Sequence, residues 1–314
     1  MSGPLFSRRD IIAALASSAA LPLIAACGRE RTPGKPAANQ SEAGALLDQL
    51  AENGLRLFPE VATSLGIDTG PRAALRSQLS DRSAAGRQRA ADQIRADLER
   101  VKSFTLSGLP FTVRTSLDVV QSAYTRALEG FAFPYGDTTV GGWRNTPYVV
   151  IQNVGAYLDV PRFLDSDHPI ENAADADAYL ARMQSYATQL DGELERMRLA
   201  RGMKLVPPGF LIDKALEQLS LSAKNAREGG SLVESIDRRT KKISGNWAER
   251  ARKIAAKEVA PALERQISEL RTERETATND AGTWARPRGE EFYRWALEAS
   301  TTTKMSPDEV HEMG

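Results

Sequence analysis

From Leu46 onward, large apolar residues recur at intervals of three and four, the spacing that lines them up on one face of a helix. Ile94, Leu98 and Val101 follow the rule, as do Leu117, Val120, Tyr124 and Leu128. The longest clean stripe is Tyr179, Met183, Tyr186, Leu190, Leu194 and Met197, with charged residues between them that are expected to fill the opposite, solvated side. An aromatic and methionine stripe at this period predicts core packing.

The breaks between stripes are equally legible. Pro207-Pro208-Gly209 separates the Tyr179 helix from a helix over 210–225, which Glu228-Gly229-Gly230 closes. A further stripe runs through Trp247, Ala251, Ile254, Val259, Leu263, Ile267 and Leu270. It contains Pro261, whose missing N–H and bulky ring predict a kink or a break. Residues 138–152 hold two glycines, a proline and a β-branched run, which predicts a long connection with at most a short strand. No repeat is visible along the chain. The expected fold class is mostly α, a multi-helix, bundle-like body with antiparallel neighbours, long loops and one domain over 45–314.

The first residues break the pattern. Arg8-Arg9 precedes a charge-free run from Ile11 to Ala26, 16 residues, which is short of the ~20 a membrane-crossing helix needs. The run ends Leu23-Ile24-Ala25-Ala26-Cys27, resembling a lipobox. Residues 1–26 therefore read as a twin-arginine export signal, and Cys27 as the lipid attachment site. The alternative is an N-terminal helix with an incidental Cys, since a free Cys behaves as a small hydrophobe. Gly28 in place of an Asp favours the outer over the inner membrane. Residues 27–44 are poor in large apolar groups and read as a lipidated tether. The expected location is exported, membrane-anchored through Cys27 and facing the periplasm.

Composition narrows the function. Forty-one Lys and Arg balance forty-one Asp and Glu, so no bulk basic field exists to hold nucleic acid, which is not expected as a partner. One Cys and two His build neither a Cys-rich zinc site nor a three-histidine centre. No Gly-x-Ser-x-Gly elbow is present.

Near the end, Ser306-Pro307-Asp308-Glu309 is a helix start with an N-cap serine, a first-turn proline and a capping-box glutamate, yet only Pro307 to Gly314 follow. Two readings stand: a short terminal helix closed by Gly314, or a longer body cut at this point. The run Gly282-Thr283-Trp284-Ala285-Arg286-Pro287-Arg288-Gly289-Glu290-Glu291-Phe292-Tyr293 and the run from Thr301 to Gly314 resemble the bacterial family called domain of unknown function 885. That family carries a Pro-x-Gly-x-x-Tyr-Tyr segment and a Ser/Thr-Pro-x-Glu-Ile-His-x-Leu-Gly helix start. Phe292 stands for its first aromatic and Met313 for its leucine. His168-Pro169-Ile170 and Asp177–Met183 resemble its middle segment, so the similarity extends over about 46–314.

The resemblance implies an N-terminal, substrate-covering portion of a larger, mostly helical metallopeptidase-like fold, secreted or lipid-anchored and acting on peptides. Zinc is implied for the full-length family through a His-Glu-x-x-x-x-Gly-His-His-like motif that lies beyond Gly314. This chain is expected to hold no metal, no cofactor and no catalytic residue. His311-Glu312 fits the family's helix start, and His168 is expected on a surface loop. Trp143, Arg144, Asn145 and Tyr148 form a polar and aromatic cluster on a predicted loop. With Tyr293 they are the candidates for lining a cleft, the alternative for each being ordinary packing. Two functions follow: an inactive, lipid-anchored part of a zinc peptidase-like protein, or a non-enzymatic helical lipoprotein serving as a binding or scaffold module.

Overall fold

The Tyr179 stripe becomes the longest helix of the molecule, and neighbours pack on it from several sides. The computed structural model describes residues 38–142 and 145–314. Arg8, Arg9, Cys27, Trp143 and Arg144 therefore lie outside the described residues, as do the signal and the first part of the expected tether. Among the described residues there are twelve α-helices and no strand longer than an isolated bridge. In chain order they are α1 (Ala38–Leu57), α2 (Pro59–Ser64), α3 (Ala84–Lys102), α4 (Phe111–Phe131), α5 (Ala156–Ser166), α6 (Ala173–Gly202), α7 (Gly209–Glu228), α8 (Ser231–Thr240), α9 (Trp247–Ile254), α10 (Ala260–Thr276), α11 (Gly289–Thr301) and α12 (Pro307–Met313). The mostly α body expected from periodicity is the observed one.

Helix α6 begins with a full capping box, in which the Asn172 side chain accepts the Asp175 N–H and the Asp175 carboxylate accepts the Asn172 N–H. Its apolar stripe is sealed: Tyr179, Met183, Tyr186 and Leu190 are each at most 1% exposed. They pack with residues of α5, α7, α8 and α10 in the main core. The opposite side departs from expectation. Asp175, Arg182, Gln189, Glu193 and Arg196 are buried too, because α3 and the 3₁₀ segment Gly70–Ser77 cover that side. The solvated face of α6 is a narrow stripe through Asp177, Gln184, Thr188, Asp191 and Glu195, so the charged residues beside it find partners inside.

The interruption near Pro261 takes the form of one π turn, Ala255–Val259, between α9 and α10. The Ala260 N–H reaches back five residues to the Ala255 carbonyl, and this wider turn accommodates the donor that Pro261 lacks. Gly229 closes α7 in the left-handed conformation, with φ of 81°. The long connection after α4 contains two isolated bridges, Asp137 with Thr146 and Ile151 with Val154.

Ordered structure starts earlier than composition suggested. Helix α1 begins at Ala38, inside the stretch read as tether, and Ala43 is fully buried with Leu46 and Leu50 against α3 and α4. Small residues that look unable to drive folding are recruited by a partner surface already in place. His168 is a second correction: instead of a surface loop position it is 1% exposed. The Pro169 turn carries it inward under α6.

Candidate functional site

The predicted loop cluster and the carboxy-terminal aromatic segment, far apart in sequence, meet in space. Tyr148 is buried, and its hydroxyl accepts a hydrogen bond from Arg286 Nε at 2.8 Å, 138 residues away. Burial pushes the Tyr148 phenol up, against the pull of Arg286. Tyr135 donates to the Pro287 carbonyl at 2.5 Å, and the Arg288 guanidinium lies 4.7 Å from the centre of the Phe133 ring. Phe133, Phe292 and Trp295 form an edge-packed set with centroids 5.3 to 5.7 Å apart. Trp295 Nε1 donates to the Arg126 carbonyl at 2.8 Å, which docks α11 on α4. Gly130 makes that docking possible, since a Cβ there would stand 2.0 Å from the Trp295 ring.

The candidates fare differently. Asn145 turns its carbonyl oxygen to the Thr139 N–H at 2.8 Å, while its amide nitrogen is buried without a partner, as is Gln152 Oε1 on the same connection. Tyr293 is 47% exposed on the outer side of α11 and is not part of the ring set, which takes its neighbours Phe292 and Trp295 instead. The structure thus joins Tyr148 to Arg286 and leaves Tyr293 apart.

Beneath this junction runs an ionic spine that hydropathy did not reveal. Glu193 is fully buried, and its carboxylate accepts from Arg82 Nη1 at 2.9 Å, from the Ala156 N–H at 2.8 Å and from Gln266 Nε2 at 3.2 Å. Burial pushes the carboxyl up, while Arg82 and the backbone donor at the start of α5 hold it down. Arg82 also reaches Asp159 at 3.1 Å, and Arg196 holds the Gly136 carbonyl at 2.6 Å and Asp137 at 2.5 Å. The spine pins both ends of the 132–155 connection to α6. One signal was available in the sequence: Asp175, Arg182, Gln189 and Arg196 recur at intervals of seven, marking a second continuous face on the same helix.

None of this makes a metal centre. Both ring nitrogens of His168 are engaged, Nδ1 with Arg182 and Nε2 with the Asp175 carbonyl, and His311 is exposed on α12. Among the described residues no group of three or more His, Cys, Asp or Glu is placed to hold a metal ion. Among the described residues the donor set does not fit the zinc that the family resemblance implies. Likewise, no described helix is long and apolar enough to cross a membrane.

The model of the family described as "Bacterial protein of unknown function (DUF885)" matches residues 59–314. The chain belongs to this family. No curated protein matches the DUF885 chain significantly. Among solved structures it is similar to the crystal structure of a protein from Colwellia psychrerythraea described as a "putative lipoprotein", with a TM-score of 0.77 and 17% identity. The match covers 87% of the DUF885 chain described here and 48% of the Colwellia chain, so this chain corresponds to about half the length of that protein. At this identity the likeness concerns the fold.

Proposed function

We propose that this DUF885 chain is an exported protein, lipidated at Cys27 after removal of residues 1–26. Its helical body then forms the substrate-covering part of a peptidase-like molecule without supplying catalytic groups. The observation that carries this reading is the extent of the fold match: the body aligns with 48% of a longer chain described as a "putative lipoprotein". The peptide-facing surface is assigned to the junction of the 132–155 connection with Arg286 and α11, where the partly exposed Arg286 holds the Tyr148 hydroxyl.

A second reading, a non-enzymatic binding or scaffold module, is favoured by one observation. The main core around α6 is closed by this chain's own α5, α7, α8 and α10. Two measurements separate the claims. The intact mass of the protein extracted from membranes is expected to carry a diacylglyceryl addition at Cys27 that Cys27→Ser abolishes; an unlipidated, full-length wild type overturns the anchoring claim. Peptide binding that Tyr148→Ala or Arg286→Ala weakens at least tenfold, with the fold retained, supports the covering role. Unchanged binding overturns the assigned surface.

A further inference from the structure

A recess in the described body is walled by residues that take no part in this junction. It is a cavity of about 80 Å³ between α5, α6, α7, the start of α8 and the π turn. Three features set it apart from a packing defect. First, its deep wall holds Tyr186, 1% exposed, whose hydroxyl makes no hydrogen bond among the described residues. That hydroxyl is not among the polar atoms sealed off from free space, so the space it meets is the cavity. Second, two backbone irregularities face each other across the cavity. Pro161 sits inside α5, where it leaves the Tyr157 carbonyl without its helical donor, and the π turn contributes Ala255 and Val259. Single π turns within helices concentrate at functional sites because they trade regular bonding for space. Third, none of the lining residues is charged, while Asn225 and Ser231 near the mouth add an amide and a hydroxyl whose side chains have no partner.

From these observations we infer that the cavity is a binding site for a small neutral molecule, an amide or an alcohol, that donates and accepts hydrogen bonds. Charge is excluded by the walls, since an ion taken into an uncharged, largely apolar recess loses hydration that nothing there replaces. Size follows from volume. A cavity of ~150 Å³ accommodates benzene, so about 80 Å³ takes roughly three or four non-hydrogen atoms. Tyr186 supplies the deep hydrogen bond, and the apolar side chains of Leu263 and Val259 flank the carbon skeleton. This inference is independent of the peptidase-like reading, which concerns a different surface.

The test uses acetamide and 2-propanol as probes in ligand-observed NMR titrations of the protein. Saturable binding in the millimolar range is expected, as befits four non-hydrogen atoms. Tyr186→Phe, which removes only the hydroxyl, weakens it about tenfold. Ala226→Leu places bulk in the cavity from α7 and abolishes it. If Ala226→Leu does not fold, the Tyr186→Phe comparison decides alone. No saturable binding of either probe to the wild type, as for a cavity holding only water, overturns the inference, and so does equal binding by Tyr186→Phe.

Discussion

Arg182 Nη1 lies 2.8 Å from His168 Nδ1, so the imidazole accepts there and carries its proton on Nε2, which is directed at the Asp175 carbonyl 3.0 Å away. The same guanidinium donates to Thr63 Oγ1 at 2.7 Å and to the carbonyls of Leu75 and Gln78 at 3.0 and 2.9 Å. It stacks on Phe163 at 4.8 Å. One fully buried side chain therefore ties α2, the 3₁₀ segment, α5 and the His168 turn to α6. Arg182→Met leaves these acceptors unpaired in the interior, and a loss of about 3–5 kcal/mol is expected in urea unfolding. A loss below ~1 kcal/mol would mean that the network re-forms around water.

The same pair sets a pH dependence. Burial, with Arg182 and Arg239 nearby, brings the His168 imidazole from 6.5 down to about 4, while the Asp175 carbonyl opposes the shift. Between those values the unfolded state binds more protons than the folded one. This part of the stability is therefore complete above pH 6.5 and drains away as the pH falls towards 4, on the order of 3 kcal/mol in all. His168→Gln is expected to flatten the slope between pH 6.5 and 5 relative to wild type, measured by urea midpoints. Parallel slopes would contradict a neutral buried ring.

Glu273 works in the opposite direction. Burial, reinforced by Glu269 one turn away, pushes its carboxyl from 4.5 up to about 8, with Arg201 as the opposing influence. The folded state then holds a proton that the unfolded state has released. Its contribution is greatest below pH 4.5 and is lost as the pH rises towards 8. Glu273→Gln is expected to stabilise the protein by a few kcal/mol at pH 8 and by nothing measurable near pH 4.5. A uniform effect at both pH values would contradict the shift.

Gly130 tests how α11 is held. A methyl group at this position meets the Trp295 ring at 2.0 Å and Thr138 at 2.8 Å, so Gly130→Ala must push α11 or the following turn away. A destabilisation of about 1–3 kcal/mol is expected, together with a red-shifted tryptophan emission as Trp295 becomes wetter. An unchanged spectrum would show that the α4 and α11 contact is dispensable.

Periodicity made most of the helical body legible, including the α6 stripe, the stop at Gly229 and the irregularity at Pro261. It failed where burial is not driven by the residue's own hydropathy. Arg182, Glu193 and His168 read as solvated because a charged or polar residue has no sequence mark that it will be enclosed; enclosure comes from segments up to 119 residues away in sequence, as with Thr63 and Arg182. Ala43 read as tether for the same reason. In the candidate site, Asn145 and Tyr148 were visible as a polar and aromatic loop. Arg286, which meets Tyr148, stands out in the sequence only within a family-like run, since the contact exists only after α11 docks. Tyr293 and Trp295 differ by two positions on one helix. Which of them faces inward was settled by the orientation of α11 on α4.

The proposed division of labour, in which this helical body covers substrate while the catalytic zinc is supplied from outside its residues, is tested most directly by one assay. Purified residues 28–314 are incubated with Zn²⁺ and a defined peptide mixture, and cleavage is followed by mass spectrometry. No cleavage above the buffer blank is predicted. Zinc-dependent cleavage that co-elutes with the folded protein through successive columns would contradict it.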